Sequence, residues 1–260
     1  MKVLGIYREK EFSPGKVKQD KAIMDLTLIE LSKLGFNTEA ISPDSIPKSA
    51  KADLVLNMAQ SKRSLLILSE WEKKGIPVIN STVSIRNCYR KNLFKILEEN
   101  KLPIPKTWIY KAKEIDPSKW KGHFWIKRGD FHALQRDDVS KVESSEEMKK
   151  ALLYFIKNSI DEVIIQQHLD GNVIKFYGVD KNYIRAFLSP RNKEFDLSKD
   201  IIDVIFKAKD CLGLEIYGGD LVLSKENNFY IIDINDWPSF SLCQNEAARY
   251  IAQYINSFLP

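Results

Sequence analysis

The sequence lacks the features that mark membrane, secreted and zinc-binding proteins. None of its apolar runs approaches the roughly 18 residues that a membrane-spanning helix needs. Charged residues appear within the first eight positions, which argues against a secretory signal. The three cysteines, Cys88, Cys211 and Cys243, form no CxxC pair, and with three histidines a Cys/His zinc site is not expected. We therefore expect a cytoplasmic protein with reduced thiols.

Clustered charge is also missing. Lys and Arg exceed Asp and Glu by five, but they are dispersed along the chain and form neither a stripe nor a tail. We therefore expect no nucleic-acid partner and no membrane partner, and the small excess suits an anionic small-molecule substrate. With 44% hydrophobic residues, the 260-residue chain can bury a sizeable core. The sequence does not determine the oligomeric state.

The first third of the chain alternates short apolar strands with helical patterns. Strands are predicted over residues 3–7, 53–58 and 76–80. The helices between them end at Gly35 and Gly75, since glycine is the usual residue after a helix carboxyl end. This alternation predicts a small parallel sheet covered by helices. We assign residues 1–84 to an amino-terminal α/β domain.

The pattern then changes to helices mixed with antiparallel strands. One helix is predicted over residues 84–100, where Pro103 and Pro105 prevent its continuation. Further strands are predicted over 107–110, 124–127, 139–142, 163–168, 173–179 and 183–188. Another helix opens at Ser144, and one more ends at Gly213. We assign residues 85–260 to an α+β domain with lobes at about 105–168 and 169–260.

The most informative stretch is a hairpin between residues 217 and 235. Its turn-forming cluster is Lys225–Asn228, and pairing about the midpoint of that cluster places Asp220 opposite Asp233. Asn235 shares their face because alternate residues of a strand point the same way. Facing carboxylates repel unless a cation lies between them. The spacing therefore predicts one or two Mg²⁺ ions, with Mn²⁺ as an alternative, beside nucleotide phosphates; the competing interpretation is a hairpin edge whose acids face water.

The sequence Asp233-Ile-Asn235 followed by Trp237-Pro238, after an aspartate on the preceding strand, resembles the metal site of ATP-grasp enzymes. Other parts of the chain resemble that family in the same order. The helix that carries Lys91 resembles its first lysine-bearing helix, and Lys127 resembles the lysine that reaches the nucleotide phosphates. Lys127 also follows three apolar or aromatic residues, so its amine is expected to point into a cleft and to need an anion.

The segment from residue 163 to 169 resembles the hinge strand that binds adenine. The residues implied by that resemblance are Gln166, Gln167, His168 and Leu169. The resemblance covers roughly residues 76–240. It implies an α/β fold in which a Rossmann-like amino-terminal domain precedes two α+β lobes that enclose the nucleotide. ATP and Mg²⁺ are the implied cofactors.

The loop after Lys127 differs from the usual pattern of that family. Most members place glycine and serine there so that backbone amides approach the phosphates. This chain has only Gly129 and offers Arg128, His132 and Arg136 instead. We expect these three side chains to replace the amides or to contact the substrate.

Further basic residues are candidates for catalysis and for substrate binding. Lys175 and Arg185 lie on neighbouring predicted strands that face the metal site, where they can stabilise the transferring phosphoryl group together with Asp233. Arg191 follows the second of these strands. Lys16 lies beside Ser13-Pro14-Gly15, just before a helix amino terminus, a place that binds anions.

Two reaction classes fit these residues. In the main prediction a kinase transfers the γ-phosphoryl group of ATP to an oxygen of a small anionic substrate. Asp233 stands where most ligases have glutamate, and residues 189–195 contain no glycine, so the chain resembles inositol polyphosphate kinases of the ATP-grasp type. The alternative is an ATP-dependent carboxylate–amine ligase of the RimK-like kind that acts through an acyl phosphate. A nucleotide-sensing module without turnover is a third interpretation.

Overall fold

The computed structural model describes residues 1–258 and contains three sheets, each built from its own stretch of chain. The mixed α/β architecture expected from the sequence is confirmed. Within these residues no helix combines the length and the apolar character needed to cross a bilayer.

The amino-terminal sheet is parallel and has the strand order β2-β1-β3-β4. Its strands and helices are β1 (Lys2–Ile6), α1 (Val17–Lys33), β2 (Asn37–Ile41), β3 (Leu54–Asn57), α2 (Lys62–Lys73) and β4 (Val78–Ile79). The sequence did not predict β2, because this edge strand is only partly buried and has no apolar alternation. Parallel pairing brings the carboxyl ends of β1 and β3 to one edge of the sheet.

The helix predicted over residues 84–100 is wrong in one respect, because the chain breaks there into two helices. These are α3 (Thr82–Asn87) and α4 (Arg90–Glu99). Between them Tyr89 has an extended backbone (φ −61°, ψ 128°), and its hydroxyl donates a hydrogen bond to the carbonyl of Gln60 at 2.9 Å. This tertiary contact holds Tyr89 out of the helix, so Arg90 begins a new one.

The central sheet is antiparallel and has the order β5-β8-β6-β7. It consists of β5 (Thr107–Lys111), β6 (Phe124–Arg128), β7 (Val139–Val142) and β8 (Glu162–Gln167), and α5 (Ser145–Lys157) lies in the sequence between β7 and β8. Ile126 and Ile165 face α5 in an apolar core. The adjacent residues Lys127 and Gln166 therefore lie on the opposite face of the sheet.

The carboxy-terminal sheet has the order β11-β10-β9-β12-β13. Its elements are β9 (Gly171–Val179), β10 (Tyr183–Leu188), β11 (Lys193–Glu194), α6 (Lys199–Leu212), β12 (Ile216–Ser224), β13 (Phe229–Asp236) and α7 (Gln244–Phe258). One face packs against α4 and α6. The other face shares a core with α7 and with α1, so α7 joins the carboxy-terminal sheet to the amino-terminal unit.

The hairpin of β12 and β13 pairs Asp220 with Asp233, as predicted, but by a different route. Nearer the turn Leu221 faces Ile231, so the register shifts by one residue and Ile232 has no partner on β12. This β-bulge restores the pairing that was expected from a symmetrical turn. It also leaves the carbonyl of Ile232 free to accept a hydrogen bond from elsewhere.

Gly219 permits the close approach of β12 to β13 beside Asp233. A Cβ atom at Gly219 would lie 2.3 Å from the backbone oxygen of Asp233 and 2.6 Å from the ring of Phe176. We expect Gly219→Ala to lower the free energy of unfolding by about 3 kcal/mol, since overpacking forces backbone to move. Urea denaturation measures this loss.

Gly75→Ala is the matched control, because Gly75 has φ +84° and no atom within 4 Å of the added Cβ. It should cost only about 1 kcal/mol, the strain of a left-handed alanine. A Gly219→Ala loss no larger than that of the control would contradict the steric explanation.

Candidate functional site

Two cavities adjoin at the β12–β13 hairpin. The first, which we call the interlobe cleft, has a volume of about 440 Å³ and lies between the central and the carboxy-terminal sheets. It is lined by the hinge candidates Gln166, Gln167, His168 and Leu169, and by Arg90, Lys127, Asp220, Ile232 and Asp233. This volume is typical of sites for small molecules and cofactors.

Lys127 points into the interlobe cleft and is 7% exposed. Its Nζ donates to Gln166 Oε1 at 2.8 Å and to the carbonyl oxygen of Ile232 at 3.1 Å, the carbonyl freed by the bulge. Burial, with a smaller contribution from Arg90, lowers the pKa of Lys127 to about 8, although Asp233 and Asp220 act in the opposite direction. A partly satisfied cation in this position is well suited to an anionic ligand.

The residue of α4 that reaches the cleft is Arg90, and the placement of Lys91 at the nucleotide is not supported. The Lys91 amine pairs with the carboxylate of Glu162 outside the lining of the cleft. Arg90 is 4% exposed, and its Nε and Nη1 have no hydrogen-bond partner within the described chain. Its position four residues before Phe94 puts it on the buried face of α4, a signal that was available in the sequence.

Asp233 is a partly buried carboxylate among cations, with a side chain that is 19% exposed. Burial by itself would raise its pKa, but His132, Arg90 and Lys127 outweigh that effect and hold the pKa well below its ordinary value. Arg90 Nη2 lies 3.7 Å from Asp233 Oδ2, and His132 Nδ1 lies 3.7 Å from Asp233 Oδ1. Asp233 Oδ1 is buried and accepts no hydrogen bond within residues 1–258. An ionised oxygen in this state fits a hard cation.

Lys175 and Asp220 form an ion pair of 2.8 Å across the paired strands β9 and β12. Burial alone would lower the pKa of Lys175, but Asp220 outweighs burial and the pKa is raised. Asp220 lines the interlobe cleft, whereas Lys175 lines the second cavity. The pair therefore stands in the partition between the two cavities.

Asp220, Asp233 and Asn235 share one face of the hairpin, as the strand alternation predicts. Asn235 lines the second cavity, and the two aspartates line the cleft. In the part of the chain that the structure describes, no group of three or more His, Cys, Asp or Glu side chains could hold a metal by itself. Mg²⁺ at this hairpin would therefore take two carboxylates and an amide oxygen and complete its shell with phosphate and water oxygens.

The hinge segment, residues 166–169, lines the interlobe cleft, and two of its side chains form hydrogen bonds with neighbouring residues. Gln166 lies between Lys127 and Thr107, to which its Nε2 donates at 3.1 Å. Trp125 Nε1 donates to His168 Nδ1 at 3.0 Å. Gln166 and His168 therefore position Lys127 and Trp125 in the wall of the cleft, while Gln167 and Leu169 complete its lining.

The second cavity, which we call the basic cavity, has a volume of about 210 Å³. Its lining includes Arg8, Ser13, Lys16, Asp20, His132, Lys175, Tyr177, Asn235 and Ser239. It lies where the carboxyl ends of β1 and β3 meet the hairpin, the usual place for a ligand in an open parallel sheet.

Arg8 was not among the predicted site residues, yet it joins the amino-terminal sheet to the hairpin. Its guanidinium donates to the carbonyls of Asp236 at 3.0 Å, Trp237 at 2.7 Å and Met58 at 3.2 Å. Gln60 Nε2 also donates to Asp236 Oδ1 at 2.7 Å. Burial raises the pKa of Asp236. Only tertiary structure brings these residues together, so no local pattern could have identified them.

The loop over the basic cavity is held by Asp138. This buried carboxylate accepts hydrogen bonds from Arg128 Nη1 at 2.9 Å and from the backbone amides of Leu134 at 2.8 Å and Gln135 at 3.0 Å. Arg128 also pairs with Asp130. The expected substrate contact by Arg128 is therefore not supported, because its guanidinium is already neutralised inside the loop.

Of the two remaining loop candidates, His132 lines a cavity and Arg136 does not. Arg136 is exposed and lines neither cavity. His132 lines the basic cavity, and both of its ring nitrogens are buried without a hydrogen-bond partner in the described chain. Phe131 packs edge-on against Phe12 (5.2 Å between centroids) and Tyr89 (4.8 Å), which holds the loop against the amino-terminal unit.

Arg185 and Arg191 line neither cavity, although Arg185 is paired across the sheet with Tyr177, which lines the basic cavity. Arg185 shares the face of Lys175 but pairs with Glu246 of α7 at 2.7 Å and with Glu194 at 2.9 Å. Arg191 is exposed. The roles predicted for Arg185 in catalysis and for Arg191 in substrate binding stay predictions; in this structure Arg185 pairs with Glu246 of α7.

Comparisons with known proteins agree with this architecture. No protein-family model matches the chain. Human beta-citrylglutamate synthase B is 21% identical over 280 residues, which cover 97% of this chain and 71% of the relative. Mouse N-acetylaspartylglutamate synthase A is 22% identical over 225 residues, covering 77% of this chain and 59% of the relative.

Solved structures resemble the chain over almost its whole length. A RimK domain ATP-grasp protein from Sphaerobacter thermophilus superposes with a TM-score of 0.76 at 14% identity, covering 98% of this chain and 100% of that one. D-alanine–D-alanine ligase from Bacillus anthracis gives a TM-score of 0.74 at 16% identity and covers 98% and 95%. The chain has the ATP-grasp fold.

Proposed function

We propose that this protein is an ATP-dependent ligase that joins the carboxylate of a small anionic acid to an amine. The observation that carries the proposal is the Lys175–Asp220 ion pair, which stands between a cleft of nucleotide size and a compact basic cavity. A carboxylate bound by Lys175 would lie next to the phosphate end of a nucleotide in the interlobe cleft.

On the nucleotide side, Arg90 and Lys127 neutralise the phosphates. Both are buried and line the interlobe cleft, and Arg90 Nη2 lies 3.7 Å from Asp233 Oδ2. Asp220, Asp233 and Asn235 would hold Mg²⁺, which supplies charge neutralisation to the transferring phosphoryl group when it is bound. Fixed cations in a cleft of low polarity stabilise phosphoryl transfer because they need no reorganisation during the reaction.

On the acceptor side, Lys175 orients the acid. A carboxylate oxygen attacks the γ-phosphorus of ATP, the bond to the bridging oxygen breaks, and ADP leaves with that oxygen. The resulting acyl phosphate is then attacked at its carbonyl carbon by the lone pair of an amine. Inorganic phosphate leaves, the nitrogen releases a proton, and the amide forms. His132 and Asn235, which line the same cavity, are placed to contact the acid.

The names of the relatives support a ligase more than a kinase. Two curated relatives are synthases of acyl–glutamate products, and the structural neighbours include D-alanine–D-alanine ligase. None of these comparisons supports the inositol phosphate kinase that was the main prediction from sequence. Asp233 in place of glutamate keeps a carboxylate ligand at the same hairpin position, so this departure does not require kinase chemistry.

Product analysis tests the proposal. Purified protein with ATP, Mg²⁺ and a panel of carboxylic acids should release ADP and phosphate in equal amounts when an amine is added, and mass spectrometry should detect the amide. Hydroxylamine should trap the acyl phosphate as a hydroxamate. A phosphorylated polyol formed without any amine would instead establish the kinase alternative.

Asp233→Asn should reduce turnover by at least about 100-fold, because a neutral amide binds Mg²⁺ weakly and no longer balances Arg90. Asp137→Asn, an exposed acid in the loop, is the matched control and should retain normal activity. Thermal unfolding verifies that the Asp233 variant is folded. Normal turnover by the folded variant would remove Asp233 from the metal site.

Arg90→Met should weaken the binding of the Mg²⁺ complex of a non-hydrolysable ATP analogue by about 10- to 100-fold, the effect expected for a lost charged hydrogen bond. Lys91→Met, its sequence neighbour, should change the affinity by less than about twofold, as expected for an exposed ion pair. Isothermal titration calorimetry measures both. The reverse order would restore the sequence-based assignment of Lys91.

Nucleotide affinity should depend on the charge of Lys127. Its pKa of about 8 in the free protein should rise when phosphate binds, so binding takes up a proton above pH 8. The affinity should therefore be greatest below pH 8 and should fall as the pH rises through that value. Calorimetry at pH 7 and pH 9 in buffers of different ionisation enthalpy measures the proton uptake. Lys127→Met should bind weakly at both pH values, and a wild-type affinity that does not change between them would contradict the role of Lys127.

A further inference from the structure

The basic side chains of the basic cavity are not equally engaged. Arg8 is held by three backbone carbonyls, and Lys175 is paired with Asp220. His132 lies beside Asp233. Lys16 lines the same cavity, but within residues 1–258 its amine has neither an ion pair nor a hydrogen bond. Lys16 is solvent-exposed, and among the described residues it is the one cation of this lining without a paired carboxylate or a carbonyl acceptor.

Lys16 lies on a different wall from the reacting groups. It precedes α1 and shares its wall with Phe12, Ser13 and Pro14, whereas Lys175 and Asn235 belong to the carboxy-terminal sheet. A carboxylate that reacts with ATP must lie at the partition formed by Lys175 and Asp220. The charge of Lys16 is therefore directed at another part of the bound molecule.

We propose that the acid substrate carries a second anionic group, and that Lys16 binds this group and selects dicarboxylates over monocarboxylates. The proposal rests on the ligase function proposed above and deepens it. The volume of the basic cavity, about 210 Å³, fits a compact acid whose two charged groups are separated by a short carbon chain.

The electrostatics of the cavity support a second anion. Partial burial and the nearby charge of Lys175 both lower the pKa of Lys16, and Arg8 acts in the same direction. Asp20 opposes the shift, but its carboxylate accepts a hydrogen bond from Ser13 at 2.7 Å and lies 3.7 Å from Arg8. An anionic group beside Lys16 would relieve the repulsion between these cations.

Equilibrium binding to matched ligand pairs tests the proposal. The probes are glutarate with glutaramate, and succinate with succinamate, because each pair differs only in the charge of the distal group. Calorimetry is performed on the full chain with Mg²⁺ and a non-hydrolysable ATP analogue. The wild-type protein should bind one of the diacids about 10- to 100-fold more tightly than its amide analogue, as expected for a charged hydrogen bond.

Lys16→Gln should reduce this preference to less than about threefold while leaving the affinity for the amide analogue nearly unchanged. Lys18→Gln is the control, since Lys18 is exposed and charged like Lys16 but lies outside the cavity lining. It should keep the wild-type preference. The affinity for the ATP analogue should be the same in all three proteins.

Two outcomes would overturn the proposal. The first is a wild-type protein that does not distinguish a diacid from its amide analogue. The second is an equal loss of both affinities in Lys16→Gln, which would assign Lys16 to the reacting carboxylate. Because binding is measured without turnover, failure of the ligase reaction would appear only in the product analysis, and the two proposals can fail separately.

Discussion

The site depends on one constraint, which is that a partly buried aspartate must remain ionised. Asp233 lies on a strand surrounded by apolar residues, where burial favours its neutral form. Arg90 from α4 and Lys127 from β6 prevent protonation, and each is itself buried and destabilised as a cation without the aspartate. Three segments that are distant in the sequence are thus held together by charges that none of them could bury alone.

The same constraint explains why the bulge in the hairpin matters. Without it, Asp233 would not face Asp220, and the carbonyl of Ile232 would have a strand partner instead of Lys127. The bulge therefore aligns two carboxylates and also supplies a hydrogen bond to the cation that stabilises one of them. Lys175 of the neighbouring strand β9 pairs with Asp220, whereas Arg90 of α4 lies beside Asp233. Each aspartate therefore has its own cation, contributed by a different element.

Features that follow from local periodicity could be predicted from the sequence, and features that depend on long-range contacts could not. The turn at Lys225–Asn228 predicted that Asp220 faces Asp233, whereas the bulge at Ile232 on which this pairing depends was not predicted. The break before Arg90 depends on the contact of Tyr89 with Gln60, which is invisible in the sequence of the helix. Arg185 lies on the expected face, but its ion pair with Glu246 of α7, more than sixty residues away, could not be predicted from the strand.

In the loop after β6, backbone amides are not free to bind phosphate as they do in a glycine-rich loop, so side chains must supply that binding. The amides of Leu134 and Gln135 already donate to Asp138, and the amide of Phe131 donates to Asp130. Hydrogen-bond donors engaged in this way cannot also surround a phosphate. In the proposed ligase the charge of the triphosphate is therefore balanced by Arg90 and Lys127, which the core holds in place. In that proposal the loop covers the acid with His132, which lines the basic cavity, and leaves the phosphates to these two side chains.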